Sequence, residues 1–165
     1  MAKCKAIFLV GNYGVGKSSI INETVISRDG LFLKIRENTY VLGKTIVGAD
    51  SLSSHKKSSV MSEVIRNKTK NIIIAGNYYC QISDIKMLSI HFDVVLIYLK
   101  TSFENNMKRI LERGKLINID TYNAKLKQHA SLIKNTKGYR KLHIIDNDKS
   151  IECVKKEFFR LIEET

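Results

Sequence analysis

With 165 residues, 44% of them hydrophobic, the chain is long enough to bury one full core and too short for two ordinary domains. No apolar run reaches the roughly 18 to 20 residues of a membrane-spanning helix, and Cys4, Cys80 and Cys153 are too scattered for zinc spacing and fit a reducing compartment. A formal net charge of +12, from 28 Lys and Arg against 16 Asp and Glu, points to an anionic partner such as nucleic acid, although lysine supplies 21 of the 28, a bias expected of an A/T-rich coding genome.

In chain order, Lys5 to Val10 is a short apolar run ending at Gly11, as expected of a central parallel strand buried on both faces. The N-terminal apolar stretch runs into a glycine loop and not into a cleavage site, so the expectation is a cytoplasmic protein. Ile20, Ile21, Thr24 and Val25 predict a helix over Lys17 to Ser27. Leu31 to Arg36 and Thr39 to Leu42 read as a hairpin turning at Glu37 and Asn38.

Ser54 to Lys70 is predicted helical, Asn71 to Gly76 a buried strand, Ile82 to His91 a helix and Asp93 to Leu99 a further buried strand. Phe103 to Arg113 and Tyr122 to Lys137 are predicted helices, with a last strand over Lys141 to Ile145 and a last helix over Ser150 to Glu163. This βαβ rhythm predicts one α/β domain over residues 1 to 165, a three-layer sandwich with a parallel sheet of about five strands and a short helical lid over about 103 to 128.

The pattern G-x-x-x-x-G-K-[ST] is matched by Gly11, Gly16, Lys17 and Ser18, between a predicted buried strand and a predicted helix. Such a loop turns backbone N–H groups around phosphates, and the following helix points its positive end at the same anion. Gly11, Asn12, Tyr13, Gly14, Val15, Gly16, Lys17, Ser18 and Ser19 are therefore assigned to ATP binding, Lys17 to the β- and γ-phosphates and the Ser18 hydroxyl to Mg2+. Asn135-Thr136-Lys137-Gly138 is no N-K-x-D base motif, which argues against a GTPase. The strand ends at Asn77 and at Leu99-Lys100 lack the acidic residue usual in motor ATPases. Phosphoryl transfer to an acceptor other than water is the remaining expectation.

Arg109 and Arg113, four residues apart ahead of Gly114, share a helix face from which a lid can stabilise charge developing in transfer; a solvated basic face is the competing reading, and Arg140 is a weaker third candidate. A hydroxyl acceptor benefits from a nearby carboxylate. Asp50 is the candidate base, in a loop with Gly43 and Gly48, with capping of the next helix as its alternative and Glu37 as second choice. Tyr78 and Tyr79, just past a strand end, are placed to stack on a base or to pack over the loop.

The whole chain resembles the nucleoside-monophosphate-kinase-like branch of P-loop proteins. More narrowly, GNYGVGKSS at 11 to 19 and YVLGKTIVGADSLS at 40 to 53 resemble phage 5-hydroxymethyluracil DNA kinases. The resemblance implies an enzyme that phosphorylates the hydroxymethyl group of a modified pyrimidine within DNA, a step in thymidine hypermodification and restriction evasion. Free nucleoside or nucleotide kinases and a non-catalytic ATP-binding module remain the alternatives.

Overall fold

Alternation along the first strand organises the fold: Ala6, Phe8 and Val10 enter one apolar cluster, while Ile7 and Leu9 enter another on the opposite face of the sheet. A strand buried on both sides needs helices on both faces, and the computed structural model has that three-layer arrangement. It describes residues 2–12, 16–44, 48–116 and 118–164, with only the backbone at residue 50.

The strands are β1 (Lys5–Gly11), β2 (Ser27–Asp29), β3 (Phe32–Arg36), β4 (Thr39–Leu42), β5 (Asn71–Ala75), β6 (Asp93–Lys100) and β7 (Lys141–Asp146). The helices are α1 (Lys17–Ile20), α2 (Lys57–Arg66), α3 (Ile82–Leu88), α4 (Phe103–Glu112), α5 (Ile119–Asn135) and α6 (Ile151–Glu164), with short 3-10 turns at Gly48–Leu52 and Asn77–Tyr79. One face packs Val60, Met61 and Val64 of α2, Ile85 and Leu88 of α3 and Leu132 of α5; the other packs Ile20 of α1 and Val154, Phe158, Phe159 and Ile162 of α6.

The sheet has seven strands in the order β2-β3-β4-β5-β1-β6-β7, which corrects the expected all-parallel sheet of about five. From β4 through β7 the pairings are parallel, whereas β2 with β3 and β3 with β4 are antiparallel. The reason is connection length: two-residue turns at Gly30-Leu31 and Glu37-Asn38 permit only antiparallel pairing, while parallel neighbours need a crossover. Asn38 takes φ 54° in its turn, a conformation asparagine tolerates better than most residues. The predicted hairpin over 31 to 42 is thus present, and β2 adds a strand that periodicity did not reveal.

That strand replaces part of the helix predicted over Lys17 to Ser27: α1 has only four residues. Thr24, Val25 and Ile26 are β-branched and lose χ1 freedom in a helix. Ile26 N–H instead donates to Lys34 O at 2.8 Å, just before β2 pairs with β3, and Lys155 Nζ donates to Asn22 O at 2.6 Å. Ladder bonds on an otherwise open sheet edge outweigh a weak helical preference. The lid range 103 to 128 takes in α4 and only the first part of α5, which continues unbroken to Asn135. Among the described residues no helix is long and apolar enough to cross a membrane.

Candidate active site

β1 lies in the middle of the parallel strands, so its carboxyl end at Gly11 opens where α/β sheets bind ligands. Gly11 and Asn12 are buried, and Asn12 Nδ2 donates to Tyr122 O at 3.3 Å, tying the loop's entrance to α5. Gly16, at the loop's exit, has φ 88° with open space where a Cβ would stand; its left-handed backbone, not crowding, calls for glycine. Lys17 Nζ donates to Gly11 O at 2.8 Å, so the ammonium spans the two ends of the loop. Ser18 and Ser19 are exposed on the first turn of α1. Tyr13, Gly14 and Val15, assigned to ATP from sequence, lie outside the described residues.

With four residues, α1 aligns few peptide dipoles. The expected helix-dipole contribution is therefore small. Ser18 fits a Mg2+ ligand, because this ion is commonly held through one or two protein groups plus substrate phosphates. No group of three or more His, Cys, Asp or Glu suited to a metal occurs among the described residues.

One cavity includes the loop's exit, and a second lies against α5. The first, of about 480 Å3, is lined by Gly16 and Ser19, by Arg109 and Arg113, and by Asn147 and Lys149 after β7. Arg109 Nη2 donates to Asn147 O at 2.8 Å, and Asn147 Nδ2 to Thr101 Oγ1 at 3.3 Å, which locks α4 to the loop between β7 and α6. Both arginines thus share one cavity with the loop's exit, and guanidinium planes there suit a flat ring or an anion.

The second cavity, of about 780 Å3, lies between the turn Asn77–Tyr79 and α5. Asn77, just past β5, meets His129 of α5: Nε2 of the ring is 3.3 Å from Asn77 Oδ1, and the ring leans on Tyr98 with centroids 5.5 Å apart. His129 is 4% exposed, and its Nδ1 has no hydrogen-bond partner. Burial, reinforced by the positive charges of Lys17 and Lys125, pushes its pKa down to about 4. The ring is therefore neutral at physiological pH. Burial also pushes the Tyr98 hydroxyl up.

A depressed histidine has a stability consequence of definite sign. The unfolded chain takes up the His129 proton below its ordinary pKa of 6.5 and the folded chain only near 4, so stability contributed by the neutral ring is complete above pH 6.5 and falls toward pH 4. The loss is at most about 3 kcal/mol. Denaturant titrations of the wild type and His129→Gln from pH 4 to 7 should show a smaller acid loss in the variant; equal losses would contradict the buried neutral ring.

The remaining candidates separate cleanly. Asp50 belongs to the turn Gly48–Leu52, whose Gly48 approaches Ala75 of β5 so closely that an added Cβ would lie 3.1 Å from Ala75 O. Its side chain lies outside the described residues; the N-cap position of the next helix is Lys56. Glu37 is 96% exposed at the turn leading into β4, at the end of the sheet away from Gly11, and pairs with Lys34. Arg140, just before β7, is likewise at that far end, donating to Ile133 O at 2.6 Å. Tyr79 is buried and its hydroxyl donates to Leu52 O at 2.9 Å, leaving Tyr78, 48% exposed, to face a ligand. Sequence reasoning missed His129 and Asn147. The first had a signal, a lone histidine seven residues after Tyr122 on a helix face that also carries Leu132.

No protein-family model matches the chain, and no curated protein matches it. Solved structures do. A gluconokinase from Sinorhizobium meliloti 1021 is similar at TM-score 0.54 and 13% identity over 99% of this chain and 96% of that one. A shikimate kinase from Bacteroides thetaiotaomicron gives 0.54 and 14% over 98% and 99%. The deoxyadenosine kinase of M. mycoides with bound dATP gives 0.53 and 12% over 96% and 99%. With the glycine loop at the end of β1 and the helices on both sheet faces, this chain has the α/β fold of small P-loop kinases.

Proposed function

We propose that the protein is an ATP-dependent kinase whose acceptor is a hydroxyl group on a nucleoside-type compound. The observation that carries this reading is the glycine loop's exit sharing a cavity with Arg109 and Arg113: that cavity suits the adenosine of ATP, and the separate cavity at Asn77 suits the acceptor. Ser18 would hold a magnesium ion, which when bound would neutralise charge on the phosphates. Lys17 orients the β- and γ-phosphates, and the acceptor oxygen forms its bond to the γ-phosphorus as the bond to the bridging oxygen breaks and ADP leaves. The hydroxyl proton passes to the Asp50 carboxylate. Likeness to a deoxyadenosine kinase supports a nucleoside-type acceptor.

A more specific reading makes the acceptor 5-hydroxymethyluracil within DNA. The GADSLS segment at 48 to 53 and the net charge of +12 favour it, as does half-exposed Tyr78, placed to stack on an extruded base. Relative rates on free nucleosides, free nucleotides and hydroxymethyluracil DNA test the choice: preference for the polymer supports the specific reading, and preference for nucleosides leaves only the general one. With the best acceptor, Asp50→Asn should lower turnover about 10²-fold or more with ATP affinity little changed. Unchanged turnover would remove the proton-accepting role.

A further inference from the structure

The two edges of the sheet are unlike. β2 is three residues long and fully exposed, with Arg28 and Asp29 in it, and short charged strands of this kind discourage pairing with another chain. β7 closes the other edge with six residues, KLHIID, and among the described residues no strand pairs with its outer side. Asn147 N–H donates to Lys100 O of β6, so by alternation the peptide groups of Leu142, Ile144 and Asp146 point away from the sheet. They offer a ladder that β6 cannot use.

The side chains of these residues also share a face. Ile145 belongs to the cluster beneath α6, whereas Leu142 packs against the cluster on the α5 side; Ile144, alternating with Ile145, is on the α5 side too and is 55% exposed. Arg140 is held on that side by bonds from its Nε to Thr136 Oγ1 and from its Nη2 to Ile133 O, which leaves Nη1 without a bond among the described residues. Exposed Asp146 accepts from Asp148 N–H through Oδ1, leaving Oδ2. The outward positions therefore read Arg, Leu, Ile, Asp, an order that is its own complement in reverse. Turned antiparallel about His143, the strand sets Leu142 opposite Ile144 and Arg140 opposite Asp146, each pair occurring twice by symmetry. An axis moved to Ile144 would set Leu142 against the Asp146 carboxylate instead.

We propose that β7 is a self-association edge: two copies of this chain join through antiparallel β7 strands about a two-fold axis at His143, with Leu142 against Ile144 and Arg140 against Asp146 of the second copy. The proposal is independent of the kinase reading. Because β7 runs parallel to β6 and β1, antiparallel joining sends the two phosphate loops to opposite ends of the continuous sheet, and each site stays complete within one chain. The net charge of +12 on each copy opposes association, but at about 0.15 M salt charges further apart than about 8 Å are largely screened, whereas the facing pairs are in contact.

Sedimentation of the full chain at that salt tests the assignment. Between about 1 and 500 µM a monomer should give way to a dimer, since two short strands make a small interface of the weak class. Ile144→Lys should raise the dissociation constant about tenfold or more while ATP affinity per chain stays unchanged. Arg140→Glu and Asp146→Lys should each self-associate more weakly than wild type yet associate with one another when mixed, because only the mixture sets opposite charges face to face at both ends. A loss of general structure could not give that recovery. A chain that stays monomeric over the whole range, a dimer indifferent to Ile144→Lys, or charge variants that fail to associate on mixing would each overturn the assignment.

Discussion

Lys17→Ala is expected to lower phosphoryl transfer by about 10³-fold or more, equivalent to about 4 kcal/mol of transition-state stabilisation, while leaving the fold intact. The ammonium donates to loop backbone at Gly11 O and belongs to neither apolar cluster, so its removal opens no cavity in either. Because α1 is only four residues long, little helix dipole is available to substitute for the lost charge. The effect should therefore be larger than in a loop followed by a long helix. Turnover and thermal unfolding of the variant check this together: near-wild-type turnover would remove Lys17 from the chemistry, and a collapsed unfolding midpoint would show a structural role.

DNA carrying 5-hydroxymethyluracil should accept phosphate from ATP, whereas DNA with thymine in its place should accept none. Thymine has a methyl where the modified base has a nucleophilic oxygen, so the discrimination is chemical and nearly complete. Affinity should differ far less, since attraction from a net charge of +12 would act on both backbones alike and weaken with salt for both. Matched duplexes and single strands of the two compositions, assayed for incorporated label and for binding at two salt concentrations, separate the terms. Equal labelling of thymine DNA would place the acceptor elsewhere on the polymer. Strong binding without labelling of either would leave a nucleic-acid contact and remove the acceptor assignment.

The central strands were legible because burial on both faces writes continuous apolar runs such as Ile72, Ile73 and Ile74 into the sequence. The edge was not. All three residues of β2 are exposed and carry no apolar alternation, so its pairing depends on β3, which lies two residues away and offers free ladder groups. Likewise α1 ended early for a tertiary reason: α6 supplies Lys155 to Asn22 O where the helix would have continued.

At the site, the glycine loop was legible because its backbone requirements dictate residue type, as the left-handed Gly16 illustrates. Residues brought in from distant segments were not. His129 and Asn77 are 52 positions apart and meet only because α5 crosses the end of β5. Asn147 carries no motif of its own, although its carbonyl holds Arg109 and gives that arginine a fixed position beside the phosphate loop's exit. Glu37 and Arg140 were nominated by residue type alone, and strand direction sends both to the far end of the sheet.

The most direct measurement is transfer of label from γ-labelled ATP, with magnesium, to a panel of free nucleosides, free nucleotides and hydroxymethyluracil DNA, run beside the Lys17→Ala variant. The expected result is covalent label on at least one hydroxyl-bearing acceptor, magnesium-dependent and lost in the variant. Tight ATP binding with no label in any member of the panel would contradict a kinase and leave a nucleotide-binding module in its place.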